Sequence, residues 1–284
     1  MNSRKISQKI AFLIARLSIT IVLGFIGLVV FFIATNGIGV LSWEFLTGFP
    51  REGMTRGGIF PAIVGTLLLV TLAVTISFPL GLMTAIYLVE YAKPGRIRET
   101  IINAIYNLNG IPSIIFGIFG MVFFVKFLGW GVSLISAAFT LSLMTLPTIT
   151  ISSMEALKSI PNEFREASLA LGATKWQTIF RVVLPAALPG VITGTMLSIG
   201  RAAGETAPIL FTGAVFYTRG LPNSIFAPVM ALPYHLFVLN VEHPDVTAAR
   251  PMAFGTALVL MMLVLTMYLG ASIIRWHYGK KKMW

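Results

Sequence analysis

The chain has 284 residues, 56% of them hydrophobic and 11% charged, with a mean hydropathy of +0.87; the charged share is about half that of a soluble domain, which excludes a large water-soluble fold. With no cysteine there is neither a disulfide framework nor a thiolate metal site, and His235, His243 and His277 lie far apart outside any His-Glu-x-x-His spacing, so no metal and no catalytic constellation is expected. A net charge of +11 would suit nucleic acid in a soluble protein, but in a chain this apolar the placement of the charges decides, and no nucleic-acid partner is expected.

Six segments are long and apolar enough to cross roughly 30 Å of hydrocarbon as helices. They run at about 14–35, 60–89, 101–125, 131–153, 189–213 and 252–274. Arg4, Lys5, Lys9 and Arg16 ahead of the first suggest a signal peptide, but the apolar run ends in Ala34-Thr35-Asn36 without a small-residue cleavage site, so a retained span is expected. With the N-terminus inside, the inner segments hold those four, then Lys93, Arg96 and Arg98, then Lys158, Arg165, Lys175 and Arg181, then Arg275, Lys280, Lys281 and Lys282. The outer segments hold only Arg51, Arg56, Lys126, Arg219 and Arg250. This bias places both termini in the cytoplasm and accounts for the basic composition through membrane orientation, with the Lys280–Lys282 tail touching lipid headgroups. The expected fold is an all-α membrane protein, one transmembrane domain over residues 1–284.

Between spans four and five, residues 155–188 are polar and helical, and orientation puts them inside. Pro161 and Asn162 are start signals, Asn162 as the N-cap, and Glu163 and Glu166 favour the positive end of the helix. Gly172 suits the left-handed residue that ends it, and Thr174 with Gln177 makes a capping box for a second helix. Pro185 and Pro189 mark a hinge into span five. Read plainly, Trp176, Phe180 and Arg181 allow this segment to lie on the headgroups as an amphipathic helix. Glu166-Ala167-Ser168, three residues, Gly172 and then Leu184-Pro185 resemble the EAA loop of the permease subunits of bacterial and archaeal ABC importers. That pattern is Glu-Ala-Ala, three residues, Gly, nine residues, Ile-x-Leu-Pro; here Ser168 replaces the third small residue and Val182 the Ile. The resemblance implies the type I permease fold and a coupling loop, with Glu163, Glu166, Ala167, Gly172, Leu184 and Pro185 its working residues, docking on a separate ATPase. No Gly-x-x-x-x-Gly-Lys-Ser/Thr occurs, so this chain forms no Walker A cradle and is not expected to be an enzyme; ATP and Mg²⁺ belong on the partner, with no cofactor here.

Span five carries Arg201 and Glu205. Arg201 falls about twelve residues into it, near mid-bilayer, where an Arg costs about 2.5–3.5 kcal/mol on insertion scales. At 100° per residue, Gly190, Gly194, Ser198, Glu205 and Pro208 lie within about 60° of it. Pro208 cannot donate to the Gly204 carbonyl, which predicts a kink beside Glu205. Two readings stand: a buried i,i+4 pair that pins the helix, or a substrate pathway lined by Arg201, Glu205, Ser198 and Thr206. An Arg fork donates two parallel hydrogen bonds to a tetrahedral oxyanion, and Glu205 could accept one from a protonated anion.

Arg201-Ala-Ala-Gly204-Glu205-Thr206-Ala-Pro208 is similar to the Arg-Ala-x-Gly-Glu-Thr signature of phosphate importer permeases of the PstA type. Gly65-Thr66-Leu67, Ala85-Ile86-Tyr87-Leu88 with Glu90-Tyr91, Gly110-Ile111-Pro112-Ser113 with Phe116-Gly117, and the segment from Pro228 to Pro233 fit the same family, while Asn109 departs from the small residue expected there. The resemblance implies a sister permease, two copies of a cytoplasmic ATPase and an external phosphate-binding protein, in the cell membrane of a bacterium or archaeon. The outer loops, 36–59 and 214–251, carry Trp43, Phe45, Phe49, Phe216, Tyr217 and Tyr234; these read as an interface belt and, on the resemblance, as a floor for the binding protein. A permease for sulfate or molybdate, or a membrane signalling or scaffold subunit with Arg201–Glu205 as a structural pair, are the alternatives.

Overall fold

A computed structural model describes residues 2–218 and 220–280. Arg219, Lys281 and Lys282 lie outside the described residues. Nearly all the regular structure is helical. The order is α1 (Asn2–Gly37), α2 (Trp43–Thr47), a short antiparallel pair β1 (Pro50–Arg51) and β2 (Arg56–Gly57), then α3 (Phe60–Ile86). Next come α4 (Arg96–Asn109), α5 (Ser113–Gly120), α6 (Leu134–Lys158), α7 (Asn162–Ala170), α8 (Lys175–Thr178) and α9 (Leu184–Gly204). Last are α10 (Ala207–Leu210), α11 (Leu232–Phe237) and α12 (Val246–Lys280).

Five helices among the described residues are long and apolar enough to cross a membrane, and the bent pair α4–α5 supplies a sixth. The expected continuous span at 101–125 is therefore corrected: α4 and the helix Ser113–Phe127 meet at 99°. Pro112 is the cause, since it has no N–H to continue the ladder and biases Ile111 away from the helical region. Asn109, the departure from the family pattern, fixes the corner, because Thr148 Oγ1 of α6 donates to its Oδ1 at 2.8 Å. The charged half, with Arg96, Arg98 and Glu99, is thereby turned away from the membrane-crossing half.

Helix α6 is the hub, buried along most of its length between α3 and α9. One core cluster closes the end that carries residues 159–174, where Leu88, Ile105, Met154, Leu157, Ile179 and Val183 meet. Another closes the opposite end, from Phe45, Met54, Ile59, Met230, Leu239 and Met252. Phe45 is thus core rather than a member of the aromatic belt, whereas Trp43 is 80% exposed. Two segments matched separately in the sequence come together here. A Cβ on Gly65 would collide with the Met230 carbonyl oxygen, and Thr66 Oγ1 accepts the Leu232 amide hydrogen at 2.8 Å. Gly65-Thr66 is the socket into which the 228–233 loop is set. Below that loop His235 is buried, with neither ring nitrogen hydrogen-bonded among the described residues, and burial lowers its pKa to about 4, so it is neutral at ordinary pH.

Helix α1 differs from the rest. Its apolar side chains face outward over the whole crossing window, and it touches the body chiefly along α12, where Phe32 meets Phe254 edge-on at 5.5 Å. A helix this apolar on all sides needs lipid or a further subunit around it.

Candidate functional site: the Arg201 face and the Glu166 loop

Span five begins sooner and ends sooner than the sequence suggests. Lys175–Gly204 runs as one 30-residue helix, about 45 Å long, with no hinge at Pro185 or Pro189. Residues Ile179–Val183 form a π-helical turn, and the Leu184 amide reaches back to the Ile179 carbonyl. That wider turn absorbs the hydrogen bond that Pro185 cannot make. At the other end the helix stops at Gly204, and Glu205 is extended at φ −76°, ψ 130°. The predicted kink at Pro208 inside a helix to 213 is replaced by a true helix end followed by the short α10. Pro208 there packs under α5, where a Cβ on Gly117 would lie 2.8 Å from the Ala207 carbonyl oxygen.

The predicted stripe of small residues is divided by its neighbours. A Cβ on Gly194 would strike the Ser152 side chain of α6, and one on Gly190 would lie 2.7 Å from Ala156 Cβ. Ser198 is fully buried, its hydroxyl donating to the Gly194 carbonyl at 3.2 Å. Ser198, a pathway residue by the sequence, is thus covered and lies off the open face, one turn beyond the Gly194 contact with α6, where α9 needs small residues to approach closely. Gly200 makes room for the Tyr268 hydroxyl of α12, and Ala202 and Ala203 pack on Val70 of α3. What remains open is the face of Leu197, Arg201 and Gly204, with Leu197 57% exposed and Gly204 exposed too.

On that face Arg201 Nε lies 3.5 Å from Glu205 Oε1, with the side chains 32% and 18% exposed. The predicted pair therefore forms, but as one long contact. Neither Nη group of Arg201 has a hydrogen bond among the described residues, so the outer edge of the fork is available. Thr206, half-buried, closes the site at the start of α10, its carbonyl accepting from the Leu210 amide at 3.0 Å. The arrangement presents a cation with two uncommitted donors, beside a carboxylate, on a face that this chain leaves uncovered.

At the opposite end of the same helix, the loop splits in two. Helix α7 has no buried residue, and Glu163, Glu166, Ala167 and Gly172 are all exposed. Glu163 and Glu166 have no ion pair among the described residues. Gly172 has φ +82°, the left-handed conformation expected of it. The capping box is formed on both sides: Gln177 N–H donates to Thr174 Oγ1 at 3.3 Å, and Thr174 N–H donates to Gln177 Oε1 at 2.8 Å. Asn162, expected as the N-cap, is instead the first helical residue, after an extended Pro161. Leu184 and Pro185 are half-buried inside the long helix, Leu184 against the core cluster at this end, so they anchor the loop rather than present a surface. Two contributors were not singled out from the sequence. Leu171 is 89% exposed beside Gly172, an apolar side chain left uncovered among the described residues. Arg165 turns inward to Glu90, at 2.7 Å.

The comparisons with known proteins agree with this architecture. The profile of the family described as "Binding-protein-dependent transport system inner membrane component" matches residues 77–278. The "Probable ABC transporter permease protein YqgI" of Bacillus subtilis (strain 168) is 32% identical over 96% of this chain and 96% of its own length. The "Phosphate transport system permease protein PstA 1" of Mycobacterium tuberculosis (strain CDC 1551 / Oshkosh) is 40% identical over 80% of this chain and 73% of its own. Among solved structures, a bacterial ABC transporter involved in the import of the acidic polysaccharide alginate superposes with a TM-score of 0.63 at 19% identity, over 98% of this chain and 99% of that one; this supports the fold alone. The chain belongs to the inner-membrane permease components of binding-protein-dependent ABC importers.

Proposed function

We propose that this chain is a translocation subunit of an ATP-driven importer of inorganic phosphate, with Arg201 on the pathway. The observation that carries the reading is the guanidinium of Arg201, held by one 3.5 Å contact to Glu205 and otherwise uncommitted on an uncovered face of α9. Arg201 lies in the last turn of its membrane-crossing helix, not midway along it as the sequence suggests; an ionisable group within such a helix still calls for a partner or an anion, and a flat fork fits two oxygens of a tetrahedral oxyanion. The likeness at 40% identity to a permease named for phosphate transport supports the cargo.

Glu205 supplies a reason to favour phosphate over sulfate. Phosphate near neutral pH carries a proton that a carboxylate can accept as a hydrogen bond. Sulfate brings only acceptors to the same carboxylate, so it is repelled there. A sister permease covers the Arg201 face, and an external phosphate-binding protein delivers the anion at the end formed by α2, β1–β2 and α11. Two copies of a cytoplasmic ATPase, carrying ATP and Mg²⁺, dock on α7 and on the sister permease's equivalent loop. The excess of Lys and Arg on the α7 side supports a cytoplasmic location for that side and both termini, with the chain in the plasma membrane. This chain holds no cofactor and breaks no bond.

The alternative cargo is another oxyanion, sulfate or molybdate, which the same fork would accept. Uptake by the complete importer in sealed vesicles separates the two. Radiolabelled phosphate is expected to accumulate on ATP addition and to resist a hundredfold excess of sulfate. Equal competition by sulfate, or accumulation of sulfate in its own right, would replace phosphate as the cargo.

A further inference from the structure

We infer that Arg165 and Glu90 form a linkage that carries movement of α7 into α3, a positioning role distinct from docking itself. This rests on the reading of α7 as the ATPase-docking helix.

The two residues are 75 apart in sequence, yet Arg165 Nη2 lies 2.7 Å from Glu90 Oε1, and Nε lies 3.1 and 3.3 Å from the two carboxylate oxygens. The same guanidinium donates through Nη2 to the Leu157 carbonyl at 2.9 Å and through Nη1 to the Ile160 carbonyl at 2.7 Å. One side chain of α7 therefore grips the π-helical end of α3, Tyr87–Tyr91, and the last turn of α6 together. The side chains are 17% and 7% exposed, so the pair sits out of water, unlike the exposed Lys158–Glu155 pair nearby. The contrast with Arg201 is informative: every nitrogen of Arg165 is engaged, whereas the fork of Arg201 is open. Arg165 is built to hold, Arg201 to bind.

Helix α7 has no fully buried residue, so polar contacts carry much of its attachment to the membrane helices. A second polar attachment is the hydrogen bond between Ser168 Oγ and Thr178 Oγ1, 2.9 Å, which leads into the helix running to Arg201. The loop reaches α3 a second time where Lys175 Nζ stands 4.9 Å over the Tyr91 ring. A push on α7 thus divides into two arms, one along Lys175–Gly204 and one through Glu90 along α3. The arms meet again where Val70 of α3 packs on Ala202 and Ala203, directly beside Arg201. Without the Glu90 arm, α9 can be displaced while α3 stays behind, and the Arg201 face does not open as a unit.

The chain has no cysteine, so Leu197→Cys gives it a single thiol one turn before Arg201 on the exposed face, whose labelling is read on this subunit alone after separation from its partners. In the complete importer in vesicles, the labelling rate of that thiol by a polar maleimide is measured with and without ATP. Expected is an ATP-dependent rate in the parent, and in Glu90→Gln a loss of at least fivefold in that dependence. The ATPase should stay bound and hydrolysing, and the midpoint of thermal unfolding is measured alongside. Glu90→Asp, which keeps the carboxylate, should restore most of the response. Undiminished ATP dependence in Glu90→Gln would overturn the linkage. So would loss of the ATPase from the complex, which would make the pair an assembly element, and so would failure of Glu90→Asp to restore the response. The labelling does not depend on the cargo, so absence of phosphate uptake with an intact labelling response would defeat the cargo reading and leave the linkage standing.

Discussion

Arg201→Ala is expected to abolish phosphate uptake, by a hundredfold or more, while the complex still assembles. Hydrogen bonds to charged groups contribute roughly 1.5–3 kcal/mol each, and the fork offers two to the anion. Their joint loss exceeds the roughly 2.7 kcal/mol that a hundredfold corresponds to. The substitution also leaves Glu205, only 18% exposed, without its cation, so a negative charge faces the incoming anion alone. Assembly survives because α9 is held by its other faces, by Gly190 and Gly194 against α6 and by Gly200 against Tyr268, none of which involves the Arg201 side chain. Arg201→Lys separates charge from shape: an ammonium keeps the charge but not the parallel donors, so an intermediate rate is expected. Unchanged uptake in Arg201→Ala with normal complex recovery would reduce Arg201–Glu205 to a structural pair.

Glu166→Lys is expected to release or uncouple the ATPase, with at least a tenfold loss of co-purified ATPase or of uptake. Glu166 is exposed and has no ion pair among the described residues, so reversing its charge breaks no salt bridge there. Helix α7 itself remains attached through Arg165 and through the Ser168–Thr178 hydrogen bond at 2.9 Å. The effect therefore lands on whatever covers the face of Glu163, Glu166, Ala167 and Leu171. A misplaced like charge at an interface costs several kcal/mol, enough for the loss stated. Normal ATPase recovery together with normal uptake would remove α7 from the docking surface.

The two sites were legible in the sequence to different depths. Local signals served well where the structure is local: Gly172 takes the left-handed turn, and Thr174 with Gln177 closes the box three residues apart. Helix limits were less legible, because they depend on competition. At Gly110-Ile111-Pro112 the breaker was in view, yet the apolar run on either side reads as one span; the Thr148–Asn109 bond that makes the corner joins residues 39 apart. At Pro185 the breaker suggests a hinge, but the π-helical turn just before it accommodates the missing donor.

Facing was the harder question. A helical wheel places Gly194 and Ser198 near Arg201, but it cannot say that α6 claims that side; only packing does. For Glu90 and Arg165, the sequence offered two charges at one membrane face and a family match around Glu90. Their pairing has no periodic signature at a separation of 75 residues. Asn109, flagged as a departure, shows how a single unusual residue can mark a tertiary contact.

The most direct measurement is the contact between anion and guanidinium. In the importer trapped with phosphate between its permeases, magnetic resonance recoupling of ³¹P with ¹⁵N-labelled arginine should report phosphorus at hydrogen-bonding range from one guanidinium, and Arg201→Lys should erase that signal. Trapped phosphate that couples to no arginine, or a coupling that persists in Arg201→Lys, would contradict an anion path past this side chain.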